Sequence, residues 1–179
     1  MNYMVLVNKH NPIPDKWEDS LETTTYVNSM GNAVEAEIKT YRAYLLLKAD
    51  LEENNKIYIE PDSAFRSFAA QQDIMKRFIE QYGTDYAIKT VAKPGYSEHH
   101  TGLALDIYFR LKNERGEWAD ICCNEDMMMY PELWAQIHSK LPDYGFILRY
   151  PYGREHITGF IYEPWHILYI VAKILQKKS

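Results

Sequence analysis

In YSEHHTGLALDIYFRL, residues 96–111, a polar loop gives way to a strand. From Leu103 onward the side chains alternate. Leu103, Leu105, Ile107 and Phe109 share one face, and Ala104, Asp106, Tyr108 and Arg110 share the other. The apolar face is core material. The opposite face carries a carboxylate, Asp106, inside an otherwise apolar run. Two histidines, His99 and His100, stand in the loop before it, and Gly102 permits a sharp turn between loop and strand.

Other elements extend outward from this strand. NAVEAEIKTYRAYLLLKADLEENN (32–55) reads as a helix, with Val34, Ile38, Tyr41, Leu45 and Leu46 near helical spacing and Asn32 at its cap. The first 28 residues read as extended and loop-like. KIYIEP (56–61) reads as a short strand stopped by its proline. SAFRSFAAQQDIMKRFIEQYG (63–83) reads as strand end, turn and helix, with Ser67 as cap and Gly83 as terminator. In that helix Phe68, Ile74, Met75, Phe78 and Ile79 form the expected buried stripe. YPELWAQIHSKL (130–141) is an amphipathic helix and YGFILRYP (144–151) a strand. FIYEPWHILYIVAKILQKKS is strand material running into a short helix. Helices and strands mix without a regular βαβ alternation. The expected fold is α+β, a small single domain over 1–179 with a central, mostly antiparallel sheet flanked by helices.

Composition narrows the function. The chain has 179 residues and a net charge of -5, which argues against a nucleic-acid binder and against attraction to an anionic membrane. No apolar run reaches the roughly 18 residues of a membrane span. The start shows no basic segment followed by a long apolar one. As read, the chain stays in the cytoplasm, while one trimmed of its leader would read the same and belong to the cell envelope. The only cysteines are the adjacent pair Cys122 and Cys123, so no disulfide framework is expected. Fifteen tyrosines are many for this length, and suit either half-buried strands or a carbohydrate- or peptide-binding surface.

Three short stretches carry chemistry. His99 precedes Asp106 by seven residues, and a loop folded back at Gly102 would let both bind one metal. Such a pair alone is common by chance. In EPWH (163–166), glutamate and histidine stand three apart. A regular strand would send them to opposite faces, but Pro164 makes the segment irregular, so Glu163 and His166 could face one cavity. His99, Asp106 and His166 then form a nitrogen and oxygen set of the kind that holds catalytic zinc, with one position open for water. Glu163, a separate carboxylate, suits a general base and acid. In SAFRSF, Arg66 stands between a strand and a helix, where a fixed guanidinium would stabilise an oxyanion.

These motifs resemble those of a known family. SEHHTGLALD is similar to the S-x-H-x-x-G-x-A-x-D motif of the VanX/VanY-type zinc D-Ala-D-Ala peptidases, within the wider LAS metallopeptidase group. EPWH is similar to its E-x-W-H motif. SAFRSFAAQ resembles the S-G-Y-R-S-x-x-x-Q stretch. LPDYGFILRYP, ITGFIYEPWH and the opening LVNKHNPIP resemble the VanY and VanXY branch, so the likeness runs along nearly the whole chain.

The resemblance implies the LAS/hedgehog-type peptidase fold and one Zn2+ held by His99, Asp106 and His166. It implies Glu163 as general base and acid, Arg66 as transition-state stabiliser, and Ser97, Gln71 and Trp165 as substrate contacts. The implied activity is removal of the terminal D-Ala from peptidoglycan stem peptides or D-Ala-terminated precursors, by a monomer. L,D-carboxypeptidases, D,D-dipeptidases and non-catalytic wall-binding modules share the fold. The short spacing from Arg66 to Ser97 implies an open cleft and a longer peptide. Ala64 and Phe65 replace a glycine and a tyrosine of the pattern. His100 stands where glutamine is frequent, and is expected to line the cleft or face solvent. His10, His138 and His156 match no functional position and are expected at the surface.

Overall fold

A computed structural model describes residues 3–170. The helix expected at the end of the chain lies outside the described residues. The main sheet contains β3 (Tyr58–Ser63), β4 (Ala104–Lys112), β5 (Trp118–Ile121), β6 (Phe146–Tyr150) and β7 (Glu163–Tyr169). Its order is β3-β4-β7-β6, with β5 also on β4, and every pairing is antiparallel. The expected α+β architecture is therefore present. The central strand is β4, which takes up the alternating run from Ala104 onward. One of its edges pairs with β3. The other is shared, since β7 takes Ala104–Asp106 and β5 takes Phe109–Lys112. Ile107 and Tyr108 have no ladder partner on that edge, and a cleft opens there.

The alternation in β4 holds only in part: Tyr108 of the opposite face is also in the main core, and Leu103 lies with Ala104, Trp17 and Leu168 in a second cluster. Leu105, Ile107 and Phe109 join Ile59, Phe146 and Ile167 in a core that also takes in Tyr44, Leu47 and Leu51 from one helical segment. Trp134 and Ile137 from helix α5 (Pro131–Lys140) complete it. Each such side chain contributes about 1.5–3 kcal/mol on burial. No helix among the described residues is long and apolar enough to cross a membrane.

Three expectations need correction. Residues 32–55 are not one helix. Ala33–Glu37 is a strand, β2, paired with β1 (Thr23–Val27) in a separate hairpin, so the first 28 residues are not all loop. The β-branched run TTTYV suits a strand, and Val34 and Ala36 alternate into the core. Helix α1 (Ile38–Asp50) starts only at Ile38, and Glu37, not Asn32, accepts from the Thr40 amide as its cap. Next, Pro61 does not stop β3. It pairs with Ile107, and a register break follows before Ser63 meets Asp106. A residue without an N–H is tolerated at such a bulge.

The third correction concerns α2 (Phe68–Tyr82). Its cap is Ser67 and its terminator Gly83, as expected. Its apolar stripe is not buried, however. Phe68 and Ile79 are exposed, Ile74, Met75 and Phe78 are half-buried, and the one buried side chain is Gln71. The helix packs on the short α3 (Thr84–Thr90) and forms a cleft wall instead of lying on the main core. Helical periodicity reports an apolar face but not what that face meets. The 151–162 connection also contains a short helix, α6 (Glu155–Thr158), after α4 (Asn124–Met127) earlier in the chain.

Candidate metal centre

Three side chains, from a loop and two neighbouring strands, converge. His99 lies in a buried single turn, Glu98–Thr101, that ends at Gly102. Gly102 adopts φ +72, and a Cβ there would sit 3.2 Å from the Glu37 amide nitrogen, so any other residue would be both strained and crowded in this turn. Asp106 of β4 stands directly opposite His166 of β7. Their donor atoms and a His99 nitrogen all lie within 4.8 Å of one another. His99 Nε2 is 3.1 Å from Asp106 Oδ2, and His166 Nδ1 is 2.9 Å from Asp106 Oδ1.

The outer nitrogens decide which atoms face inward. His99 Nδ1 donates to the Ala64 carbonyl at 2.7 Å, leaving Nε2 for the centre. His166 Nε2 meets Glu98 Oε2 at 3.1 Å, leaving Nδ1. Metal-binding histidines have their other nitrogen held by a carbonyl or carboxylate in this way. Two imidazole nitrogens and one carboxylate oxygen are donors of the type that zinc takes, so the residues fit that ion.

The charges are consistent with a site made for a cation. Burial opposes ionisation of Asp106, but His99 and His166 overcome it and hold the carboxyl well below its usual range. Burial likewise opposes a charge on His166, yet its hydrogen bonds to Asp106 and Glu98 raise its pKa to about 10. His99 is pushed down by burial and by Arg66.

Glu163 stands beside the cluster without joining it, with Oε2 4.0 Å from His166 Nδ1. Burial raises its pKa to about 8, against the pull of His166. The irregularity expected at Pro164 is present: Tyr150 pairs with Glu163 while Leu148 pairs with Ile167, so β7 carries two extra residues. That bulge is what brings Glu163 and His166 to one cavity. His138 is not a simple surface histidine. It is half-buried, and its Nε2 donates to the Pro164 carbonyl at 2.9 Å. His10 and His156 are exposed, as expected.

Arg66 lies on the far side of Asp106. Its guanidinium is 3.4 Å from Asp106 Oδ2, 2.9 Å from Ser63 Oγ and 2.9 Å from Gln71 Oε1. Gln71 Nε2 donates to the Ala92 carbonyl. Both ends of the Gln71 amide are thus engaged, and the side chain braces Arg66. Neither Arg66 nor Gln71 is among the residues lining the cleft, whereas Ser97, Trp165 and Glu163 are. Ser97 Oγ also caps the His99 amide.

His100 neither lines the cleft nor faces solvent. It is buried, its Nδ1 donates to the Arg66 carbonyl at 2.6 Å, and its Nε2 accepts from the Gly95 amide. Adjacent histidines therefore have different tasks: His99 faces the cluster and His100 holds the Arg66 backbone.

Glu98 was missed by sequence reading. It is 3% exposed, and its carboxylate takes Arg149 Nε, Tyr150 Oη at 3.3 Å and His166 Nε2. Burial would raise its pKa, but His166 and Arg149 bring it below the ordinary value. It is the carboxylate that orients His166. The only signal was an acidic residue directly before His99, and exposed glutamates in that position are common.

The cleft has a volume of about 480 Å³. Its floor is Asp106, His99 and His166. One wall comes from α2 and α3, and the other from residues 122–128.

Comparison with known proteins agrees with this geometry. The family model described as VanY, D-alanyl-D-alanine carboxypeptidase, matches residues 32–172. YodJ of Bacillus subtilis (strain 168) is 32% identical over 98% of this chain, which spans only 63% of that protein's length. The bifunctional D-Ala-D-Ala dipeptidase and carboxypeptidase VanXYC of Enterococcus gallinarum is 29% identical, over 95% of this chain and 84% of its own. A solved structure of a mutant VanY, a vancomycin-resistance D,D-pentapeptidase from a VanB-type cassette, contains Zn(II). It matches with a TM-score of 0.73 at 28% identity, over 93% of this chain and 86% of that one. VanYB in complex with D-alanine-D-alanine matches at a TM-score of 0.69 and 30% identity, over 93% and 85%. A sheet, a cleft and a three-donor centre of this arrangement accompany a family match over most of the chain, which belongs to the VanY family of D-alanyl-D-alanine carboxypeptidases.

Proposed function

We propose that this chain is a zinc-dependent D-alanyl-D-alanine carboxypeptidase that removes the terminal D-Ala from peptidoglycan stem peptides or their precursors. The observation that carries the reading is the inward convergence of His99 Nε2, the Asp106 carboxylate and His166 Nδ1 with a fourth, uncommitted carboxylate, Glu163, beside them in an open cleft. One Zn2+ held by the three would polarise the scissile carbonyl and bring the pKa of a bound water from about 15.7 to around 7.

The remaining work belongs to this chain's residues. Glu163 accepts a proton from the attacking water and passes it to the leaving amine of D-Ala. Arg66, fixed by Ser63 and Gln71 behind Asp106, keeps a positive charge next to the cleft floor, which favours the negative charge that develops on the carbonyl oxygen. Ser97 and Trp165 line the cleft where the peptide would lie, and Gln71 acts through Arg66.

Glu98 sets the orientation of His166. Glu98→Gln is expected to weaken zinc binding by about 10- to 100-fold, the usual effect of losing such a carboxylate. A competition titration against a chromophoric chelator measures it. Unchanged zinc affinity would show that Glu98 serves the fold alone.

The substrate is tested by assaying pentapeptide, tetrapeptide and free D-Ala-D-Ala side by side. Release of D-Ala from the pentapeptide, with little from the others, is the expected result. Preference for the tetrapeptide would make the chain an L,D-carboxypeptidase. Turnover of none by zinc-loaded protein would leave a wall-binding module.

A further inference from the structure

The cleft is larger than the reaction at its floor requires. A volume of about 480 Å³ lies within the range that takes a drug-sized ligand, well above one terminal D-Ala. Its helical wall carries three aromatic rings in sequence, Phe78, Tyr82 and Tyr86, four residues apart. Neighbouring rings stand 5.4 Å and 5.2 Å apart. Tyr82 is 50% exposed and Tyr86 47%. Their hydroxyls bond to no group among the described residues, whereas the cleft's Tyr108 and Tyr150 are buried and engage Ser29 and Glu98. Of the α2 stripe that fails to reach the core, Phe78 belongs to this wall, and Tyr82 and Tyr86 continue it into α3. An apolar face left open toward a catalytic cleft exposes surface that water solvates poorly.

We propose that Phe78, Tyr82 and Tyr86 form the subsite for the part of the stem peptide amino-terminal to the scissile bond. The inference rests on the carboxypeptidase reading and names how its longer substrate is held. Two considerations favour extended peptide over a sugar ring. The two ring-to-ring steps, 5.4 Å and 5.2 Å, cover at most about three residues of extended chain at ~3.3 Å each. The rings are also tilted, 52° and 47° to one another, so they do not make one flat platform for stacking a sugar ring. Aromatic side chains also contribute large contact area with little rotamer freedom to lose.

The test is a Tyr82→Ala/Tyr86→Ala double variant of the zinc-loaded protein, with Tyr82→Phe/Tyr86→Phe beside it. KM for the pentapeptide should rise about tenfold in the alanine variant, with kcat little changed. It should stay near wild type in the phenylalanine variant, since the rings and not the hydroxyls make the contact. Cleavage of N-acetyl-D-Ala-D-Ala, which carries no stem residue amino-terminal to the dipeptide, should be unaffected. Binding of the stem tripeptide that lacks both D-alanines, measured by calorimetry, needs no turnover and should weaken about tenfold in the alanine variant only. Equal losses on short and long substrates, or unchanged tripeptide binding, would overturn the proposal. An effect confined to disaccharide-bearing peptides would also overturn it and assign the wall to glycan. If wild-type protein binds the tripeptide at this wall yet hydrolyses nothing, the carboxypeptidase reading fails and the subsite stands.

Discussion

Removing the metal with a chelator should abolish release of D-Ala, and one equivalent of zinc should restore it. Elemental analysis of the purified protein should show one zinc per chain, and Asp106→Asn should lower that occupancy. The donor set explains why the loss should be complete and reversible. His99, Asp106 and His166 come from a glycine-terminated turn and two paired strands, positions that do not depend on the ion for their backbone hydrogen bonds. With no metal, His166 shared between Asp106 and Glu98 keeps the buried carboxylates compensated. The metal-free protein should therefore stay folded, with a lower Tm. Ligand binding to the native state alone stabilises it by about 4.1 kcal/mol at a free concentration 1,000 times Kd, and the Tm rise with added zinc reports that linkage. Full activity in demonstrably metal-free protein would end the zinc reading.

Glu163→Gln should leave zinc bound and reduce kcat about 10²- to 10⁴-fold, the contribution of a positioned general base and acid. The two halves of this expectation come from one observation. Glu163 is 4.0 Å from His166 Nδ1, outside the three-donor set, yet on the same cavity. Glutamine keeps its size and loses its proton affinity. The pH profile provides a second reading. Burial lifts Glu163 to about 8 in the metal-free protein, and a bound dication draws it lower. A base must be ionised to accept a proton, so kcat/KM should rise with pH through the Glu163 pKa, below about 8. That limb should vanish in the variant. Near-wild-type turnover, or loss of zinc together with turnover, would show that Glu163 is not the base.

Much of this was legible beforehand for identifiable reasons. The period of two in Leu103–Phe109 assigned a core face, and so placed Asp106 on the other. Pro164 signalled the irregular strand that allows Glu163 and His166 to meet. Ser67 and Gly83 bounded α2 because capping is local chemistry. Other features depend on distant partners. AVEAE became a strand because TTTYV was available to pair with it, although its residues read equally well as the first turns of a helix. The stripe of α2 read as core because periodicity measures amphipathicity and nothing about the neighbour. Glu98 and His99 are adjacent in a tight turn, where consecutive side chains point about 120° apart. One therefore faces the cluster while the other meets His166, 68 residues away in sequence. No local rule separates them.

The sequence by itself determined the chemistry: which residue types are present, their spacing around Gly102 and Pro164, and the three donors with a spare carboxylate. These are properties of short stretches, where backbone geometry follows from a few residues. The tertiary structure alone decided orientation. It set which nitrogen of each histidine faces inward, through Ala64 and Glu98, and it placed His100, expected in the cleft or at the surface, and Gln71, expected against substrate, as braces for Arg66. It also left the aromatic face of α2 open to the cleft. Those outcomes depend on contacts between segments tens of residues apart, and burial makes each buried polar atom find a partner wherever the fold supplies one.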